Sequence, residues 1–335
     1  MCRFQPTDWS DGNHSSISAD KVKVAAMTAA STATYVISLT PFDGAGKTDF
    51  SAFRQHLGRM RSAGIGVYVG GGGSGEAHAL ALGEIAALAS TAAEELRGKV
   101  PVRAMGREPR TAAAMIEWAN ALRDTGVEAL QIYSLDAGHG YRPNAREQEA
   151  YFRDVLDAID FPIVLSTHQY NGYLLAADLF DRLLADYPHI VGINATTPDV
   201  RYLAELIETV DGRAELHVGG PANALTAMSL GATGFLTSEA NVAPGLVRAI
   251  IDSFDANDLR GIFANYRRFM RLYSLNSRFG SITAIKVCLD VLGLPGGGSI
   301  RRPRLPLSEF DRDLIRRLLG ELNLTDRELG KDQAH

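Results

Sequence analysis

What most constrains this chain is an alternation that repeats eight times. From Thr34 onward, short apolar runs are each followed by a longer stretch with helical periodicity. The runs lie at Tyr35–Leu39, Ile65–Val69, Val100–Ala104, Ala129–Tyr133, Pro162–Ser166, Ile190–Asn194, Glu215–Val218 and Gly234–Thr237. The helical stretches that follow them are Asp49–Ala63, Ala77–Leu96, Thr111–Arg123, Arg146–Ile159, Ala177–Ala185, Asp199–Val210, Ala222–Leu230 and Pro244–Phe254. In the first helix Phe50, Phe53, Leu57 and Met60 share one face, and Gly64 closes it. Eight such units in roughly 220 residues predict an α/β fold, a closed (β/α)8 TIM barrel. The open doubly wound sheet would carry a glycine-rich dinucleotide turn after its first strand, and Thr40-Pro41-Phe42-Asp43-Gly44 is not that turn.

Three more helices, over Asn257–Leu275, Ile282–Leu292 and Ser308–Leu322, fall outside the pattern and read as a C-terminal helical addition. The first thirty residues mix Ser, Asp, Asn, Lys and Gly, and Asp8, Asp11, Asp20, Lys21 and Lys23 interrupt any signal-like apolar run. The predicted organisation is a poorly ordered extension over 1–30, a barrel over 31–254 and a helical region over 255–335. The net charge of −5 argues against a nucleic-acid partner. No run of 18 apolar residues occurs, so no membrane span is predicted. Cys2 and Cys288 are the only cysteines and form neither a disulfide framework nor a zinc pattern, which fits free thiols in a cytoplasmic protein.

In a barrel of this type, chemistry sits just after the strands. Gly70-Gly71-Gly72-Gly73-Ser74-Gly75-Glu76 after the second strand reads equally as an anion-binding loop or as a flexible turn. His168 shares strand parity with Ser166, and Gly192 shares it with Asn194. An imidazole changes charge near neutral pH, so His168 is a candidate acid or base, against the alternative of a packed bystander. His139 lies in the preceding loop, and His78 reads as part of a helix start. Glu239 reads as a solvated charge and Tyr170 as a wall or lid. His139, His168 and Glu239 carry no metal-site spacing, and no metal or other cofactor is predicted.

Together these motifs make the chain similar to the dihydrodipicolinate synthase and N-acetylneuraminate lyase family of aldolases and dehydratases. Thr40-Pro41-Phe42 matches its opening TPF, and Gly72-Gly73-Ser74-Gly75-Glu76 stands where the family has GTTGE or GSTGE. Ile190-Val191-Gly192-Ile193-Asn194 matches IVGIK. Ala240-Asn241-Val242-Ala243-Pro244 matches ANVAP, and Ile285-Lys286 with Leu292-Gly293-Leu294-Pro295 matches PVK and LGLP. The resemblance implies a barrel lyase acting on a small carbonyl compound or 2-oxo acid and assembling as a homo-oligomer, a tetramer.

The departures from the pattern concern chemistry. Family enzymes form a Schiff base between a sixth-strand lysine and a 2-oxo acid, usually pyruvate, and the iminium acts as an electron sink. Ungapped alignment over Ser166–Asp199 places Asn194 at that lysine, and asparagine cannot form an imine. The chain's lysines are Lys21, Lys23, Lys47, Lys99, Lys286 and Lys331, none of them on the sixth strand. The resemblance also puts Asn171 at a substrate-binding arginine, and Gly73 with Ser74 at a carboxylate-binding hydroxyl pair. Gly220 and Pro221 stand where aspartates often follow the seventh strand. The proton-relaying tyrosine has two candidates, Tyr133 and Tyr141, of which Tyr133 ends the strand.

Three readings follow. The first is a lyase without an imine, using Asn194, Tyr133 and His168 in catalysis and Gly73, Ser74, Asn171 and Tyr141 in substrate binding. The second is a silent relative that binds a metabolite or an assembly partner. The third is an ordinary pyruvate-type aldolase.

Overall fold

The computed structural model describes residues 33–331, and the extension predicted over 1–30 lies outside them. Eight parallel strands close in chain order into one barrel: β1 Ala33–Ile37, β2 Gly66–Gly70, β3 Val102–Met105, β4 Ala129–Ile132, β5 Ile163–His168, β6 Ile190–Thr196, β7 Glu215–Gly219 and β8 Gly234–Thr237. β8 pairs with β1, with Leu236 opposite Tyr35, and this removes both sheet edges. The outer helices are α1 Phe50–Ala63, α2 Leu82–Leu96, α3 Ala112–Leu122, α4 Ala145–Ala158, α5 Ala177–Asp186, α6 Val200–Val210, α7 Ala224–Leu230 and α8 Pro244–Asp255. The predicted (β/α)8 barrel is therefore the observed fold.

The helices begin where the sequence supplies caps. Asp49, Thr111, Asn144 and Asp199 each accept a backbone N–H of the first turn through their side chains. Apolar residues on the inner faces, such as Phe53, Leu57 and Met60 of α1, pack on the outward side chains of the strands.

One predicted helix is divided. The alanine-rich stretch over Ala77–Leu96 contains a short 3-10 turn, Ala77–Ala79, before α2 starts at Leu82. Glu84 accounts for the break: its Oε2 accepts the Ala81 N–H and the Arg301 guanidinium, while its Oε1 accepts Thr48 Oγ1–H. Three contacts fix the helix start at the residue that can satisfy them.

Helices α9 Leu259–Arg278, α10 Ile282–Val291 and α11 Glu309–Leu322 form the predicted C-terminal addition. They are tied to the barrel by polar groups as well as by packing. Lys286 and Arg301 both lie over the Phe42 ring, 4.2 and 4.3 Å from its centroid. Buried Arg59 of α1 donates to the carbonyls of Leu329, Asn241 and Val242. Among the described residues, no helix is long and apolar enough to cross a membrane.

Candidate active site

Polar side chains run through the barrel, layer upon layer. At the floor, Arg103 of β3 donates to Glu215 of β7 at 2.6 Å and to the Tyr68 hydroxyl of β2 at 3.3 Å. Its guanidinium also lies 4.6 Å from the Tyr35 ring centroid. Fully buried His217 meets the same ring edge-on at 5.1 Å. Burial, reinforced by the Arg103 charge, pushes the His217 imidazole down to about 3, so it is neutral.

Above this floor sits Asn194, buried on β6. It pairs in register with Ser166 on β5 and His217 on β7. Its Nδ2 donates to the Gln131 Oε1 of β4, and the same amide faces the Tyr68 hydroxyl. Asn194 Oδ1 is buried and has no hydrogen-bond donor. The amide donor that the sequence offers to a substrate carbonyl is thus already engaged, and an acceptor is what remains.

Tyr133 lies at the end of β4, and His168 is the last residue of β5. Their rings meet edge to face at 5.6 Å. The Tyr133 hydroxyl donates to Met105 Sδ at 3.3 Å and is faced by the Gly72 backbone N–H and the Gln131 side chain. Burial, with the Glu108 charge adding to it, holds this hydroxyl well above the usual phenol range. Tyr133 is therefore a permanent hydrogen-bond donor.

His168 is only 7% exposed. Its Nε2 lies 3.4 Å from Glu108 Oε1, an ion-pair distance without hydrogen-bond alignment, and neither ring nitrogen has a hydrogen-bond partner. Glu108 follows β3 in the loop before α3. Burial is the largest influence and would raise its carboxyl, but His168 and a backbone N–H together hold it below the ordinary carboxylate value.

The glycine-rich loop turns tightly beneath this group. A Cβ at Gly75 would come within 1.8 Å of the Gly70 carbonyl oxygen, so only glycine fits there. Thr40 of the TPF segment donates to the Gly75 carbonyl at 2.8 Å. The turn closes through Glu76 N–H to Gly73 O and Ala77 N–H to Gly71 O, and the N–H groups of Gly73 and Ser74 take no part in it. Ser74 donates to the Ser238 hydroxyl at 2.5 Å, which joins the loop to the end of β8.

The fold thus gathers Tyr133, His168, Asn194, Gly73 and Ser74 around the strand ends, but treats the other predicted residues differently. Asn171 gives its amide to Ser134 Oγ at 2.8 Å and to the Leu135 carbonyl, and so pins one loop to the next. Tyr141 is 47% exposed on the loop before α4, with His139 exposed two residues earlier. Tyr170 is exposed, its ring 5.9 Å from that of His168. The expectation of a solvated Glu239 is overturned. Its side chain is buried beneath α9, accepting Thr237 Oγ1–H at 2.6 Å and Asn276 Nδ2–H at 3.2 Å. Burial raises its carboxyl despite these donors.

Glu108 was not among the predicted residues. The available signal was its position, three residues beyond β3 on the chemical side of the barrel. Among the described residues, no three His, Cys, Asp or Glu side chains gather as a metal cluster.

The same architecture recurs in known proteins. The model of the dihydrodipicolinate synthetase family matches residues 30–322. The 4-hydroxy-tetrahydrodipicolinate synthase 1 of Streptomyces coelicolor is 30% identical over 300 residues, covering 88% of this chain and 94% of that protein. The synthase of Corynebacterium aurimucosum is 28% identical over 289 residues, covering 86% and 92%. Among solved structures, a dihydrodipicolinate synthase from Bacillus anthracis superposes with a TM-score of 0.79 at 24% identity, over 87% of this chain and 98% of that one. A prophage protein of the dihydrodipicolinic acid synthase family from E. coli K12, solved in complex with pyruvate, gives 0.80 at 22% identity over 88% and 99%. At those identities the solved structures speak for the fold, whereas the family match spans nearly the whole barrel and its C-terminal helices. The chain belongs to the dihydrodipicolinate synthetase family, a family of lyases.

Proposed function

We propose that this protein is a lyase that makes or breaks a bond next to the carbonyl of a small carbonyl compound or 2-oxo acid without a lysine Schiff base. The observation that carries the reading is Asn194 in the barrel centre, held by Gln131, with no lysine on any of the eight strands. Asparagine supplies no amine, so the electron pair released at the reacting carbon must be held by hydrogen bonds.

Tyr133 is the donor suited to that task. Its hydroxyl stays protonated, and its engagement with a thioether is weak enough to exchange for a developing oxyanion. His168 takes the proton from a substrate hydroxyl in bond cleavage, or from the carbon acid in elimination. Glu108 Oε1 lies 3.4 Å from Nε2, opposite the imidazolium that results. The proton then returns from His168 to the enolate carbon or to the leaving oxygen. Asn194 Oδ1 receives a substrate hydroxyl or N–H. One oxyanion donor is worth ~3 kcal/mol, far less than an iminium, so the substrate's own carbon acid must be stronger than that of pyruvate.

The test is covalent trapping. Incubation with pyruvate and borohydride should add no mass to the protein, and an adduct mapped to any lysine would overturn the reading. Turnover is sought with a panel of small hydroxy-carbonyl compounds, with product read by mass spectrometry. We propose in addition a homo-oligomer, a tetramer, for which light scattering should give a multiple of 36.1 kDa.

A further inference from the structure

The polar atoms left open around the strand ends are unequal in kind. Asn194 Oδ1 is buried without a donor. The two carboxylate oxygens of Glu108 lie 3.6 and 3.7 Å from where a Cβ of Gly72 would stand, so the carboxylate rests directly on the glycine-rich loop. Among the described residues it pairs with His168 and with no lysine or arginine; its sequence neighbour Arg107 is exposed and makes no ion pair with it. His168, the one group able to offset the charge, is 7% exposed, and its Nε2 already faces that carboxylate. Asn171 is spent on Ser134 and Leu135 and offers no compensating donor.

A substrate anion laid on this loop would therefore meet a resident anion a few ångströms away in a half-buried setting. Like charges so placed repel, and the more strongly the less water lies between them. A substrate that presents N–H or O–H groups meets the reverse situation, because Asn194 Oδ1 is an acceptor without a donor and the Glu108 carboxylate beside His168 attracts donors where it repels anions.

We infer that Glu108 sets the substrate class: the site takes a neutral, donor-bearing carbonyl compound, a 2-oxo amide or hydroxy-carbonyl, in preference to a 2-oxo carboxylate such as pyruvate. This rests on the proposed function in placing the substrate at the strand ends, but concerns the charge of the substrate and not the route of catalysis. Glu108 acts on the group attached to the carbonyl, and His168 and Tyr133 act on the reacting atoms.

The experiment compares pyruvate, its neutral isostere pyruvamide and methyl pyruvate, which is neutral but lacks the N–H donors. Binding is measured by calorimetry on the full chain and on Glu108→Gln. Native protein should bind pyruvamide at least about tenfold more tightly than pyruvate, and more tightly than the ester. Glu108→Gln, which keeps shape but loses charge, should bring pyruvate to within about threefold of the amide. Glu108→Ala serves as a second charge-removing variant, with circular dichroism melts confirming that each is folded. Equal or tighter binding of pyruvate by native protein, an amide-to-pyruvate ratio unchanged in both variants, or no binding of any probe to any of the three proteins overturns the assignment. The two readings fail separately. A borohydride-trapped lysine sinks the imine-free route and leaves the amide preference standing, whereas an unchanged ratio sinks the role of Glu108 and leaves the route intact.

Discussion

Lys286 of α10 and Glu76 of the glycine-rich loop form an ion pair with both side chains fully buried, Nζ 2.5 Å from Oε2. Glu76 stands at positive φ, 54°, a conformation that costs energy for any residue but glycine. The pair explains why it is tolerated. Lys286 also donates to the Ser299 carbonyl at 2.9 Å, so one ammonium ties the glycine-rich loop to the segment beyond α10. Burial alone lowers the lysine, and the Glu76 charge opposes that fall.

The first prediction concerns this pair. Lys286→Met should destabilise the protein by about 3–5 kcal/mol, because it leaves a buried carboxylate unpaired. Adding Glu76→Gln should recover a large part of the loss. Urea melts of the two single variants and the double variant give the coupling directly, and simple additivity would show that the pair contributes nothing through its charges.

Acid sensitivity follows from two buried histidines. Burial, then the Arg59 charge, pushes His56 down to about 3, against a weaker upward pull from its hydrogen bond with Asn241. His217 is likewise near 3. Both are neutral in the folded protein and take up protons when unfolded, from pH ~6.5 downward. Stability should therefore be flat above pH ~6.5 and fall between there and pH ~3, by ~1.4 kcal/mol per pH unit for each histidine. Glu84, lowered to about 2 by its Arg301 hydrogen bonds, adds a further loss below the ordinary carboxylate range. Glu239 acts in the opposite sense, because its raised carboxyl holds a proton more readily when folded. Urea midpoints measured from pH 8 to 4 test the sum. A His56→Gln variant should show a shallower decline than the native protein, and an equal slope would refute the assignment.

The barrel was legible because strands and helices differ in period, and eight alternations leave few other folds. Strand parity likewise put Gly192 with Asn194, and Ser166 with His168, on a common face of their strands, since side-chain direction in a strand depends only on odd or even position. What lay hidden were relations between distant segments. Glu108 and His168 are sixty positions apart in sequence, and only closure of the barrel sets one against the other. Arg103 and Glu215 carry a fainter sign, a charge at an inward position of an otherwise apolar strand. Glu239 was misread because Ser-Glu-Ala-Asn has the composition of an exposed loop, and nothing local reveals that Asn276 of α9 covers it.

The proton-transfer assignment makes a prediction once a substrate is in hand. His168→Ala should lower kcat by about 10²–10⁴-fold, the range for loss of a positioned acid or base. Tyr133→Phe should lower it by a similar factor while sparing KM, since its donor is strengthened only as charge develops. Loss of KM alone in both variants would make them binding residues, and unchanged kinetics in His168→Ala would remove the imidazole from the mechanism.

The last prediction restores the missing amine. Asn194→Lys puts an amine in the barrel centre, next to Gln131 Oε1, which now accepts the asparagine amide and can accept a lysine N–H. Burial among the inward side chains disfavours the charged ammonium, which raises the neutral amine fraction that imine formation requires. Trapping with pyruvate and borohydride should therefore succeed in Asn194→Lys where it fails in the native chain. Glu108 still repels the pyruvate carboxylate, so the yield should stay low in the single variant and rise at least about tenfold in Asn194→Lys/Glu108→Gln. With pyruvamide, which carries no charge, the second substitution should change the yield little. The four yields, two variants against two probes, separate the amine from the anion. If Asn194→Lys traps neither probe although it folds, Asn194 does not face the space a substrate occupies. If both probes respond equally to Glu108→Gln, the carboxylate acts through the shape of the loop and not through its charge.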